Sequence, residues 1–212
     1  MTNIPPSVPL FPLAHVLFPG GLLPLRIFEV RYLDMIGKCR KSGTPFGVVA
    51  LTQGMEVRRA GAETERFAAV GTLAEIRTFE SPQPGLMHIE CIGTHRFRIA
   101  SSELQIHGLW TAEVEALPDD LPVEIPEDLR HTRDALQRLI QTIEERRDGK
   151  DARMQLPFAE PHRLDDCGWV ANRWCELLSL PAELKQRLLE LDSPLMRLEL
   201  VSDLLARAGI GS

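Results

Sequence analysis

The hydrophobic period of this chain changes once, across Pro118-Asp119-Asp120-Leu121-Pro122. Before that point, short apolar runs are separated by glycine and proline. Beyond it, Leu129, Leu136, Leu139, Ile140 and Ile143 recur at helical spacing. A period near two requires strands with alternate residues on opposite faces, whereas a period near 3.6 requires amphipathic helices. The chain therefore reads as a strand-rich part, residues 1–117, followed by a helical part, residues 123–212. Charge divides at the same place. Lys+Arg and Asp+Glu number 11 and 11 from Met1 to Leu117 but 13 and 19 beyond, so the net charge of −6 lies wholly in the second part.

The greasiest segment, FPLAHVLFPGGLLPLRIFEVRY from Phe11 to Tyr32, is broken by Pro12, Pro19 and Pro24. These pieces are far shorter than the roughly 20 residues of a membrane-spanning helix, and Met-Thr-Asn-Ile before them lacks a basic leader region. The segment reads instead as a strand over Val8–Phe11, a turn at Phe18-Pro19-Gly20-Gly21, and a second strand over Leu22–Ile27. A helix is expected from about Phe28 to Arg40, stopped by Gly43. Strands follow at Phe46–Leu51, Ala68–Thr78, Leu86–Ala100 and Leu109–Leu117, the third bent or bulged at Gly93. The last alternates, with Trp110, Ala112 and Val114 on one face and Thr111, Glu113 and Glu115 on the other. About six strands and one helix predict a small barrel or sandwich. In the second part, proline and acids at Pro126-Glu127-Asp128 suit a first helical turn. A polar loop over Arg146–Arg153 leads to helices at Asp165–Leu178, Pro181–Leu191 and Pro194–Ala208, the last capped by Ser193. The expected class is α+β, a barrel followed by a helical bundle.

Motifs that carry chemistry are missing. A phosphate loop requires GxxxxGK[ST], but Gly149-Lys150 is followed by Asp151 and Glu144 stands where the first glycine belongs. GxSxG and SxxK do not occur. Cys91/His95 and His162/Cys167 have ligand-like spacing, yet neither has a second pair to complete a zinc site. The four cysteines contain no CxxC and suit a reducing cytoplasm. No metal, cofactor or catalytic activity is expected. Lys38, Arg40 and Lys41, then Arg58-Arg59, then Arg96 and Arg98 form basic groups that could meet nucleic acid. Against this, the first part is neutral and the second acidic, which is not the basic field of a phosphate-binding domain.

The run PLFPLAHVLFPGGLLPLRIFEVRYLDMI, followed in order by GVVAL, VGTLAEI, IECIGTHRFRI and LWTAEVEAL, resembles the N-terminal, substrate-binding domain of Lon proteases. Gly93 to Ile99, G-x-x-R-F-x-I, is among the better markers. The helices ending SLPAELKQRLLELDSPLMRLELVSDLL are similar to those that follow the sheet in that family. The resemblance implies a PUA-like β-barrel of about six strands with one helix, then a helical bundle, in a stand-alone bacterial member without the ATPase and protease domains. It also implies a non-catalytic polypeptide-binding module, and the cysteine usage and the broken apolar segment add the expectation of a cytoplasmic protein with no membrane association. Its partners would be unfolded or extended polypeptides and a protease or chaperone on another chain. RNA binding by a PUA-like barrel is the alternative. Leu23, Leu25, Arg26, Glu29 and Tyr32 lie close in sequence and combine apolar with polar contacts suited to gripping an extended peptide. The structural alternative pairs Arg26 with Glu29 or another acid and places Tyr32 in the core.

Overall fold

Seven strands and five α-helices arise from this pattern in a computed structural model, which describes residues 5–57, 64–149 and 156–210. The strands are β1 (Ser7–Leu13), β2 (Leu22–Ile27), β3 (Phe46–Gln53), β4 (Arg66–Phe67), β5 (Val70–Gln83), β6 (Leu86–Leu104) and β7 (Trp110–Ala116). Helix α1 (Val30–Ser42) lies between β2 and β3; α2 (Arg130–Gly149), α3 (Cys167–Leu177), α4 (Ala182–Glu190) and α5 (Pro194–Arg207) follow the sheet.

The sheet runs β1-β7-β6-β5-β3-β4, and β1 also pairs with β3 in parallel, Leu10 opposite Gly47. The path from β1 through β7, β6, β5 and β3 thus returns to its start. Among the described residues, strand β2 pairs only with β6 and β4 only with β3. This differs from the barrel of about six strands expected from sequence: the fold is α+β with one large, mainly antiparallel sheet, not a clean barrel. The physical reason is the length of β6, whose 19 residues pair with β2, β5 and β7 together. The register shift between Thr72/Arg96 and Ala74/Gly93 puts an extra residue in β6, and those between Ile76 and Thr78 and between Glu80 and Gln83 put one each in β5, so both strands bend.

Gly93 earns its place in this bend. Gly20 N donates to Gly93 O (2.8 Å) and Gly93 N to Gly21 O (2.9 Å), so the predicted turn is sewn to the middle of β6. A side chain at Gly93 would strike the Phe18 carbonyl. Helix α1 begins two residues later than expected, leaving Phe28 outside it, and ends as expected at Gly43. That glycine takes φ +66° and donates its N–H to Cys39 O.

Two compact units are present: Met1–Asp119 with Pro181–Gln186, and Asp120–Leu180 with Arg187–Ser212. The first holds Pro181–Gln186 next to the sheet, Gln186 donating to Val70 O (2.9 Å). In the second, α3 is buried on all sides from Cys167 to Cys175. Asp166 caps it by accepting from Gly168 N and Trp169 N, and the Trp174 indole donates to Thr132 O (3.0 Å). Ser193 caps α5 through Met196 N, as its Ser-Pro start predicts. Helix α2 continues to Gly149, through the first half of the expected Arg146–Arg153 loop; residues 150–153 lie outside the described residues.

Candidate functional site

Alternation along β2 turns Leu23 and Ile27 into the core and exposes Pro24 and Arg26. Leu25 shares the inward face and is half-buried against that core. The chain then leaves the strand at Phe28, 53% exposed, and enters α1, whose inward face carries Tyr32, Met35, Ile36 and Cys39. Tyr32 is 3% exposed and stacks on Phe11 with ring centroids 4.0 Å apart.

These elements frame a cleft of about 170 Å³ lined by Phe11 and Leu13 of β1, Pro24 to Ile27 of β2, Phe28, Glu29, Tyr32, Glu56 and Val57. Ala14 N donates to Glu56 Oε1 (2.7 Å), which brings the segment after β3 across to the end of β1 as the cleft's far wall. Glu56 and Val57 also border a second, more open depression of about 490 Å³ that includes Ala14, Leu51 and Met55. Phe28, Met55 and Val57 together present exposed apolar side chains beside these hollows. Of the residues singled out from sequence, Leu25, Arg26, Glu29 and Tyr32 border one cleft. Leu23 is buried in the core and does not line it.

Arg26 does not pair with Glu29. Glu29 pairs with Arg31, whose Nη2 lies 3.1 Å from Glu29 Oε2. The Arg31 Nη1 donates to Glu65 Oε1 (3.3 Å) and Gly108 O (2.8 Å), and its guanidinium lies 4.5 Å from the Tyr32 ring centroid. Arg31 is buried and ties the start of α1 to the segment before β4 and to the turn between β6 and β7. Arg31 is not among the residues that the sequence pattern singles out. Its local signals were only Glu29 and Tyr32 beside it, and the acceptors that bury it, Glu65 and Gly108, come from 34 and 77 positions away.

Burial alone would raise the Glu65 carboxyl, but its own backbone N–H, the Trp110 indole and Arg31 outweigh that and hold it below the ordinary 4.5. A depressed folded value means that Glu65 stabilises the sheet unit fully above the unfolded pKa. The contribution fades as pH falls from there through the folded value. The stability difference between wild type and Glu65→Gln, measured by urea unfolding, is expected to be largest near neutrality and to shrink steadily below about pH 4.5. A difference independent of pH would show that Glu65 acts through packing alone.

The candidate metal pairs have other roles. His95 Nδ1 is 2.8 Å from Asp119 Oδ1, and His162 packs on Trp169 with centroids 5.7 Å apart. Burial pushes the Cys91 thiol up to about 12 and the Cys167 thiol up to about 11, so neither is a thiolate at neutral pH. Among the described residues no group of three or more His, Cys, Asp or Glu is arranged for a metal ion, and no helix is long and apolar enough to cross a membrane. Of the basic groups, Arg96 is buried and donates to Pro118 O (3.1 Å) rather than facing outward beside Arg98. Arg58 and Arg59 lie outside the described residues.

The sequence profile of the ATP-dependent protease La (LON) substrate-binding domain matches residues 7–207. Protein cereblon of Danio rerio is 32% identical over 117 residues, and that of Gallus gallus 31% over 116. Each match covers 53% of this chain but only 26% and 24% of the cereblon proteins, so the chain spans about a quarter of their length. A Lon N-terminal domain protein from Xanthomonas campestris superimposes with a TM-score of 0.70 at 30% identity, covering 93% of this chain and 97% of that one. The N-terminal domain of a Mycobacterium avium complex Lon protease superimposes with a TM-score of 0.58 over 93% and 96%. At 18% identity, that likeness speaks to the fold alone.

Proposed function

The chain belongs to the ATP-dependent protease La (Lon) substrate-binding domain family, and from that premise we propose that it is a non-catalytic polypeptide-binding module, a substrate-recognition or adaptor component. The observation that carries this reading is the cleft beside β2, where exposed Phe28 and Val57 meet the exposed guanidinium of Arg26 over a floor of Leu25 and Tyr32. Apolar side chains flanked by a charge suit unfolded or extended segments, which offer apolar residues and unpaired backbone groups together. A protease or chaperone on another chain is the partner such a module would serve. The closed strand circuit is read as a PUA-like barrel carrying β2 and β4 as additions, and the helices from α2 onward as a bundle centred on α3. Four buried, unbridged cysteines fit a reducing cytoplasm. The RNA-binding alternative gains no support from the family or the structural neighbours.

Reduced, carboxymethylated α-lactalbumin serves as a permanently unfolded probe. Wild-type protein is expected to bind it, and Phe28→Ser to lower the affinity about tenfold. The unfolding free energy of the variant should change by less than about 0.5 kcal/mol, as for other exposed positions. Added salt should preserve or strengthen binding, whereas an RNA ligand would be released steeply. Unchanged affinity in Phe28→Ser would remove the cleft from the reading.

A further inference from the structure

Strand β2 leaves one edge open, and the phase of its ladder decides what that edge presents. Gly93 N donates to Gly21 O, one pair beyond Leu22 opposite Ile92. Antiparallel pairs alternate between hydrogen-bonded and non-hydrogen-bonded positions. Leu23, Leu25 and Ile27 therefore exchange bonds with Cys91, Ile89 and Met87, while Leu22, Pro24 and Arg26 turn their backbone groups the other way. Pro24 confirms the phase, because a residue without an N–H is tolerated only where the ladder needs no donor. Among the described residues β6 is the only ladder partner of β2, and no other backbone bond reaches Leu22, Pro24 or Arg26. This open edge forms one side of the 170 Å³ cleft.

We propose that the edge takes an extended polypeptide segment as an added β-strand, with apolar side chains at alternate positions and a carboxylate between them opposite Arg26. The proposal rests on the polypeptide-binding reading and specifies its mode. An added strand shares the pleat of β2, so its side chains fall alternately on two faces. One set lies on the face of Leu23, Leu25 and Ile27, toward Leu13, Tyr32 and Val57, and must be apolar. The other lies on the face of Pro24 and Arg26. There Arg26 is exposed, and its neighbour across the ladder is His88, followed by Glu80 on β5. A row that reads Arg26, His88, Glu80 is completed on its open side by an acid, since directly opposed unlike charges stabilise neighbouring strands and like charges do not. The backbone sets a second condition. Arg26 offers both an N–H and a C=O, but Pro24 offers only a C=O, so the ligand must donate an N–H at Pro24 and receives nothing back there.

The test is an N-methyl scan of a labelled synthetic peptide of alternating valine and threonine with one central glutamate, titrated against the full chain by fluorescence anisotropy. Methylating an amide that faces β2 is expected to weaken binding roughly three- to tenfold, and methylating the intervening amides to leave it nearly unchanged, giving a period of two residues. Arg26→Pro removes the outward donor while sparing the bonds to β6, and is expected to weaken binding to a similar degree at an unaltered unfolding midpoint. Arg26→Ala keeps the donor and instead abolishes the preference for glutamate over glutamine in the peptide. Losses without a two-residue period overturn strand addition. So does failure of the peptide to bind a protein that still holds carboxymethylated α-lactalbumin, and in both cases the polypeptide reading stands. Failure to hold either probe removes both.

Discussion

Replacing Phe97 with alanine is expected to cost the sheet unit about 3 to 5 kcal/mol, the range for emptying a buried aromatic site. Phe97 is 0% exposed and packs with Val8, Leu10, Val49, Leu73 and Ala112. Two glycines make room for it: a Cβ at Gly47 or at Gly71 would stand 2.7 Å from Phe97 Cζ. Gly71 is also its register partner across β5 and β6. The glycines nevertheless differ in what a methyl group would meet. At Gly47 the other close atom is the flexible Leu10 Cδ2 at 2.8 Å, whereas at Gly71 the Val48 carbonyl oxygen lies 2.5 Å away and is held in the sheet. Gly47→Ala combined with Phe97→Ala should therefore lose less than the sum of the single losses, because the new methyl enters the vacated space. Gly71→Ala should remain costly in either background. Urea unfolding of the three single and two double variants checks this, and a loss below about 1 kcal/mol for Phe97→Ala would mean that the site collapses around the missing ring.

Replacing Arg197 with alanine is expected to destabilise the helical unit by a similar 3 to 5 kcal/mol or so, through charge rather than volume. Arg197 is 1% exposed on α5. Its Nε donates to Leu188 O (2.9 Å), Nη1 to Asn172 Oδ1 (3.1 Å) and to Asp120 Oδ2, and Nη2 to Asp120 Oδ1 (3.3 Å) and to Leu191 O. Without the guanidinium, a partly buried carboxylate, an amide oxygen and two carbonyls each lose a donor together. Lysine cannot restore them, because one ammonium group does not reproduce a planar fork reaching five acceptors. Arg197→Lys should accordingly recover little of the loss. A thermal midpoint near that of wild type for either variant would show that water replaces the guanidinium at low cost.

Elements whose information is local were legible in the sequence. Alternation in β7 is observed as expected, with Ala112 buried and Glu113 and Glu115 exposed. Gly43 ends α1 and Ser193 opens α5 for reasons of backbone geometry and hydrogen bonding that involve only their neighbours. The cleft was legible in part. Residues 25 to 32 had to stay together wherever they lay, but the same alternation sends Leu25 and Arg26 to opposite faces of β2, and only the open edge lets both border one hollow. The far wall, Glu56 and Val57, carries no sequence signal, because Glu56 is placed by a bond to Ala14 N from 42 residues away.

By itself, then, the sequence determined where the backbone is extended, where it coils and where it turns, since steric limits and periodicity act over a few residues. It also determined the family through an ordered set of short motifs. Tertiary structure alone decided which strands meet and which acids the buried arginines find. Arg26 and Arg31 are indistinguishable as text, five residues apart, yet one is exposed at an open edge and the other buried among Glu29, Glu65 and Gly108. The difference follows from what the folded sheet brings within about 3 Å of each guanidinium, and a charge is tolerated in the interior only where such partners converge.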